Sequence, residues 1–212
     1  MQTADEVLAA RGGAISGHHL EKLDLRALDL SGTRFAGVTL RQVGLARAKL
    51  AAAAFDHTEA TGCDLAEVDL RGSSWLGVRL EGCDLSRAQA QDSTWRDTTM
   101  VDGRFGGADF GGARWRGVVV EGGDTGYLRM EKAVLMGCRF HHPRLGGSPL
   151  MRARLAGAFL LECDLRHANL YCADLRGAVL VRSDLSDACL DGADLTDAVL
   201  LDCRTDRLDW DR

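Results

Sequence analysis

The residues of this chain with chemistry to offer are seven cysteines, two adjacent histidine pairs and a long series of aspartates. Thiolates and imidazoles hold metals or attack electrophiles, and paired carboxylates move protons, but each of these tasks needs groups that converge. Zinc sites bring cysteines together at CxxC-type spacing. Here Cys63, Cys83, Cys138, Cys163, Cys172, Cys189 and Cys203 contain no such pair, and their odd number does not suggest a disulfide framework. The pairs His18-His19 and His141-His142 sit on extended chain, where neighbours point in different directions. No acid or cysteine recurs beside them at ligand spacing, so they read as solvated. No metal, no cofactor and no enzymatic activity are expected.

Bulk properties narrow the alternatives. The 212 residues, 46% hydrophobic, can bury a sizeable core, and the net charge of −5 lacks the basic excess of a nucleic-acid binder. Direct nucleic-acid binding is therefore not expected. No apolar run approaches the ~18 residues of a membrane span, so no membrane contact is expected either. The opening segment MQTADEVLAARGG carries acids where a signal peptide carries positive charge, which predicts a cytoplasmic protein.

The elements that position these residues follow from a period of five. Among the 40 positions divisible by five from Ile15 to Trp210, 36 are large and apolar, and the phase never slips. Two residues earlier runs a second set, mostly Ala, Cys, Ser, Thr, Gly or Val, which includes Cys63, Cys83, Cys138, Cys163 and Cys203. Those cysteines read as small buried hydrophobes, whereas Cys172 and Cys189 point outward. Between the two sets Asp or Asn recurs, as at Asp64, Asp84, Asp164, Asn169, Asp174 and Asp194, and reads as capping for the backbone. The Gly-Gly pairs at 106–107, 111–112 and 146–147 fall at outward corners, as turns and not phosphate loops.

A longer period of 20 lies over the first. Phe35, Phe55, Trp75, Trp95 and Trp115 form one column, and Cys63 with Cys83 lies in another. Small residues at 53, 73, 93 and 113 leave room for the rings. Units such as Ala173-Asp174-Leu175-Arg176-Gly177 and Ala193-Asp194-Leu195-Thr196-Asp197 resemble the A(D/N)LXX unit of the pentapeptide-repeat family. The resemblance covers about residues 15–210. It implies an all-β fold, a right-handed quadrilateral parallel β-helix of about ten 20-residue coils, four pentapeptides to each. Parallel strands stack ~4.8 Å apart, so ten coils make a rod of about 45–50 Å.

Residues 1–14 are expected to cap this rod and 15–212 to form a single repeat domain. Thr3 with Glu6 reads as a capping box opening a short helix over about 4–11, and Gly12-Gly13 would stop it. His18, Leu23, Leu28 and Leu208, oversized for the small set, would plug the ends, with Trp210 beside Leu208. Residues 121–150, which hold Thr125, Leu128, Pro143 and Pro149, are expected to distort the coil locally.

With no chemistry in the interior, function falls to the outer faces. The side centred on positions 20, 40 and onward carries Val101, Val119, Phe159, Leu161, Val179, Val181, Val199 and Leu201 outward, interrupted at Arg139 and His141. An apolar ladder on one face predicts an interface. The leading expectation is a non-enzymatic scaffold that docks a protein partner, or itself as a homodimer, through Val119, Phe159, Leu161, Val179, Val181, Val199 and Leu201.

The alternative comes from the resemblance. One branch of the family looks like double-stranded DNA, occupies the DNA-binding saddle of DNA gyrase and confers resistance to quinolones or peptide antibiotics. Residues 160–212, net −6, supply an acidic surface that includes Asp184, Asp187, Asp191, Asp194, Asp197 and Asp202. Arginine is nevertheless abundant on every face. The dimerisation helix and projecting loops typical of that branch have no counterpart in the sequence.

Overall fold

A large side chain at every fifth residue can face one core only if the backbone turns a corner every five residues. In the computed structural model, which describes residues 3–208, the corner is made by one dihedral angle. Every position from 12 to 207 that leaves remainder two on division by five has φ between about +48° and +69°. Of these 40 residues 17 are glycine and 23 are not. Glycine adopts this left-handed conformation without penalty, whereas other L-residues do so at a cost.

The corners produce a parallel β-solenoid of about nine full turns, with a further partial turn among the described residues. The expected count is about ten 20-residue coils, and one side stacks ten strands. Residues 20 apart are hydrogen-bonded neighbours along the stack, as in the pairings Phe35↔Phe55 and Trp75↔Trp95. Every core position divisible by five from Ile15 to Leu190 is buried.

The four sides are not alike. Two carry three-residue strands, and their stacking gives one parallel sheet of seven strands and one of ten. The other two meet their neighbours through single bridges such as Asp24↔Gly44 and Asp64↔Asp84. The residue preceding the core position differs between the two kinds of side. On bridged sides it is often Asp, whose Oδ1 accepts from the N–H two residues on. Such turns join Asp24 to Arg26, Asp69 to Arg71, Asp164 to Arg166 and Asp174 to Arg176. These local bonds pull the chain out of extended conformation. No strand centre is preceded by Asp; Thr, Val, Arg and Phe stand there instead, as at Thr99, Val119, Arg139 and Phe159.

Residues 121–150 keep the phase, with strands at Val134–Met136 and Arg139–His141. What changes there is the character of one side. The seven-strand sheet ends at Val134–Met136, and beyond it Arg154, Asp174 and Asp194 make single bridges only. Asp174 and Asp194 impose the local turn on that side in the last coils.

At the start of the stack, helix α1 spans Ala4–Ala9, shorter than the 4–11 expected. Thr3 Oγ1 accepts from the Glu6 N–H at 3.3 Å, and Val7 is fully buried against the first coil. Gly12 takes φ +69° and donates its N–H to Thr33 Oγ1, which ties the helix to the second coil. Leu23, Leu28 and Leu208 are half-buried against the core, and His18 holds its Nδ1 buried without a partner. Trp210 lies outside the described residues.

The aromatic column stacks as the 20-residue period requires. Ring centroids lie 4.8 Å apart between Phe35 and Phe55, 4.0 Å between Phe55 and Trp75, and 4.3 Å between Trp75 and Trp95, all close to parallel. Each pair adds on the order of 1 kcal/mol to its area burial.

Candidate interaction surface

The ten-strand sheet presents its outer face to solvent, and its last three strands are apolar on that face. Pairing places Phe159 beside Val179 and Val179 beside Val199; Leu161 lies beside Val181 and Val181 beside Leu201. Two parallel columns of three side chains result. Phe159, Leu161, Val179 and Val181 are half-buried, whereas Val199 is 43% and Leu201 51% exposed. Alternation sends Leu160, Leu180 and Leu200 inward between them.

Val119 is set apart from this cluster, because the exposed Arg139 stands between it and Phe159. His141 interrupts less than the sequence suggests. Its ring meets the Phe159 ring edge-on, centroids 6.1 Å apart, and extends the apolar surface by one coil.

The acidic residues near this end divide into two groups. Asp184 and Asp194 turn back to cap Ser186 and Thr196, and these bonds hold the Asp194 carboxyl below the usual range. Asp187 pairs with Arg207 at 2.7 Å. Asp191, Asp197 and Asp202 form no ion pair among the described residues and project their charge outward.

The expected solvated histidines require a correction. Glu162 sits one coil above His142 with Oε2 3.0 Å from Nδ1, and Glu121 one coil below His141 at 4.0 Å. These acids are 20 residues away in the chain, beyond the local spacing a sequence motif displays. No cluster of three or more metal-ligating groups exists among the described residues. No helix among them is long and apolar enough to cross a membrane.

Cys63, Cys83, Cys138 and Cys163 are buried, Cys189 and Cys203 are half-buried, and Cys172 is exposed. Each buried thiol lies along the inner wall, with Cys63 and Cys83 pointing at the Leu40 and Ala60 carbonyls. Burial pushes the Cys138 thiol up to about 12. Neighbouring Cys63 together with burial raises Cys83, and burial raises Cys163. These are thiols without nucleophilic character at neutral pH.

A second exposed apolar set was not singled out by sequence reasoning. Leu76 (42% exposed) and Met136 (55%) lie on the seven-strand sheet, and Tyr127 is 73% exposed. Leu76 and Met136 occupy one column 60 residues apart. Only the 20-residue register, applied to the other extended side, reveals that relationship.

The family model of pentapeptide repeats matches in eight copies, over residues 29–65, 63–100, 133–170, 148–187 and 160–197. No curated protein matches the chain. Among solved structures the chain is similar to HetL, a pentapeptide repeat protein involved in heterocyst differentiation regulation from the cyanobacterium Nostoc sp. strain PCC 7120. That match is 22% identical over 94% of each chain, with a TM-score of 0.53. Full-length QnrB1, a plasmid-mediated fluoroquinolone resistance protein, is 22% identical over 90% of this chain and 85% of its own, at a TM-score of 0.32. Rfr23 from the cyanobacterium Cyanothece 51142 is 18% identical over 70% and 91%, also at 0.32. At these identities the HetL likeness speaks for the fold alone.

Proposed function

The chain belongs to the pentapeptide-repeat family, and from that premise we propose that it acts as a non-enzymatic protein-binding scaffold whose docking face is the apolar ladder of its last coils. The observation that carries this reading is the register of Phe159, Val179 and Val199 beside Leu161, Val181 and Leu201. Six apolar side chains in two straight columns on a rigid sheet form a flat surface that water solvates poorly. A homodimer places two such ladders face to face; a partner protein would cover one. The free aspartates 197 and 202 stand at the two corners that bound the ladder and set the orientation of whatever docks.

Light scattering of the intact protein beside a Val181→Asp/Leu201→Asp variant tests the homodimer. A dimer in the native protein that falls to monomer in the variant supports it. A mass unchanged by the two charges removes the ladder as its interface.

The acidity of the same end favours a second reading, DNA mimicry directed at DNA gyrase. Residues 182–201 hold five aspartates against one arginine, net −4, in a single coil. The coils on either side are nearly balanced, so the charge forms a belt around the rod. Duplex DNA instead carries a charge every ~1.7 Å along its axis, a continuity this belt lacks, and the scaffold reading is therefore preferred. A gyrase supercoiling assay with and without quinolone separates the two; absence of both inhibition and protection ends the mimic reading.

A further inference from the structure

The seven-strand sheet carries, on its outer face, the column Leu76, Arg96, Arg116 and Met136, each the register partner of the next. Two cations thus stand between two exposed apolar side chains in one straight line. Arg114 flanks the line on the neighbouring column, and with Thr94, Val134 and Met136 the three arginines line a depression of about 240 Å³. Thirteen other arginines of the chain form ion pairs with carboxylates. Arg96, Arg114 and Arg116 form none among the described residues; six further arginines also form none, but these three share one depression. The acid next along the column, Asp56, is already held by Arg34 and His57. Three guanidinium groups that line one depression without an ion pair favour a carboxylate-bearing partner.

The spacing identifies the shape of the partner. Stacked coils repeat every ~4.8 Å, so Leu76 and Met136 are about 14 Å apart with the two arginines at intermediate thirds. An α-helix rises about 5.4 Å per turn, close to one coil. A helix lying along the rod axis therefore presents one side chain per coil at positions i, i+3, i+7 and i+10, all on one face and spanning about 15 Å. An extended strand rises ~6.6 Å between side chains on one face and falls out of step within two coils. We propose that this column is a docking site for an α-helix of a protein partner that carries apolar residues at i and i+10 and carboxylates at i+3 and i+7. The carboxylates would meet Arg96 and Arg116, and the apolar ends would cover Leu76 and Met136. The site is on a different sheet from the apolar ladder and stands independently of it.

The test uses a fluorescein-labelled alanine- and glutamine-based helical peptide with Leu at i and i+10 and Glu at i+3 and i+7. Its scrambled isomer and a 20-base-pair DNA duplex are run beside it, with anisotropy read against the full-length protein. Binding of the patterned peptide, weakened at least tenfold in Arg96→Ala/Arg116→Ala and in Met136→Ser, is the expected result. The remote Arg41→Ala variant and the ladder variant Val181→Asp/Leu201→Asp should bind as the native protein does, so a failure of the ladder leaves this result standing. Equal binding of the scrambled peptide, tighter binding of the duplex through the same arginines, or no binding of the patterned peptide would each overturn the proposal.

Discussion

Trp95 and Trp115 occupy equivalent positions in consecutive coils, yet their rings lie 6.2 Å apart and are tilted by 51°. One coil earlier Trp75 and Trp95 stack at 4.3 Å and 6°. The difference traces to the residue two positions before each ring. Ser73 and Ser93 accept from the indole N–H of Trp75 and Trp95 at 2.8 and 2.7 Å; position 113 is alanine, and Trp115 Nε1 is buried without a partner. Freed from that anchor, the Trp115 ring packs edge-on against Phe110 and stacks on Phe140. An unpaired buried donor costs about 1–3 kcal/mol. Ala113→Ser should therefore stabilise the protein by roughly 1 kcal/mol in denaturant unfolding and strengthen the coupled-tryptophan signal in near-ultraviolet circular dichroism. Ser93→Ala should destabilise it by a similar amount by orphaning Trp95. Equal stability of all three proteins would show that the indole bond contributes nothing.

The corner rule makes opposite predictions for glycine and alanine at equivalent positions. Ala52 has φ +56° and Gly17 φ +64°, where an added Cβ would meet nothing within 4 Å. Space is thus equal and only backbone preference differs. Ala52→Gly should stabilise and Gly17→Ala destabilise, each by about 0.5–1 kcal/mol. Gly123 is a separate case, since φ is +82° and a Cβ there would lie 2.2 Å from the Gly103 carbonyl oxygen. Gly123→Ala should cost several-fold more than Gly17→Ala. Thermal unfolding of the three variants reads this order directly, and an Ala52→Gly protein that melts lower than the native one contradicts the rule.

Much of this fold was written in the chain, because each core position repeats the same demand. Leu175, Leu180, Leu185 and Leu190 must all face one interior, and only a four-cornered coil lets them. The distinction between extended and turned sides was less visible, since Asp69 and Arg79 occupy the same place in their units. The difference appears only when the Asp69 carboxylate is seen accepting from Arg71. Ladder residues such as Val181 and Leu201 could be placed on one face by counting in twenties. Leu76 and Met136 escaped notice because two polar arginines separate them, which breaks the apolar pattern that counting seeks. The partners of His141 and His142 escaped for a related reason, as stacking brings in acids from neighbouring coils.

The Asp–Arg turns predict how stability follows pH. Arg71 grips both oxygens of Asp69, at 2.9 and 2.7 Å, while its own N–H caps the same carboxylate. Arg166 and Arg176 do the same to Asp164 and Asp174, and each arginine holds its partner carboxyl below the usual range. Arg26 lowers Asp24 to about 2. A carboxyl depressed in the folded state stabilises it above the unfolded value of ~3.9 and loses that contribution as pH falls through the folded value. The urea midpoint should stay level from pH 7 to 5 and decline between about pH 4 and 2. Asp69→Asn/Asp164→Asn keeps the capping oxygen but not the charge, and should flatten that decline. An unchanged slope in the double variant would assign acid sensitivity to other groups.

The stacked wall of thiols predicts a sharp division in reactivity. Cys172 is exposed at a corner, with φ +54°, whereas Cys63, Cys83, Cys138 and Cys163 face a dry core built of the same leucines that define the repeat. A thiol attacks disulfide reagents only as thiolate, and burial suppresses that form in Cys138 and Cys163. Titration with an aromatic disulfide in native buffer should therefore release one fast equivalent, absent in Cys172→Ser, with Cys189 and Cys203 slower. The four buried thiols should react only at the rate of coil opening and become fast in denaturant. Because neighbouring coils stabilise one another, opening should proceed inward from the C-terminal end, where Leu195 and Leu200 are already partly exposed. Cys163 should accordingly label before Cys83 and Cys63 at intermediate urea. Fast labelling of the four buried cysteines in native buffer, or labelling of Cys63 ahead of Cys163, would contradict a dry stack that frays from that end.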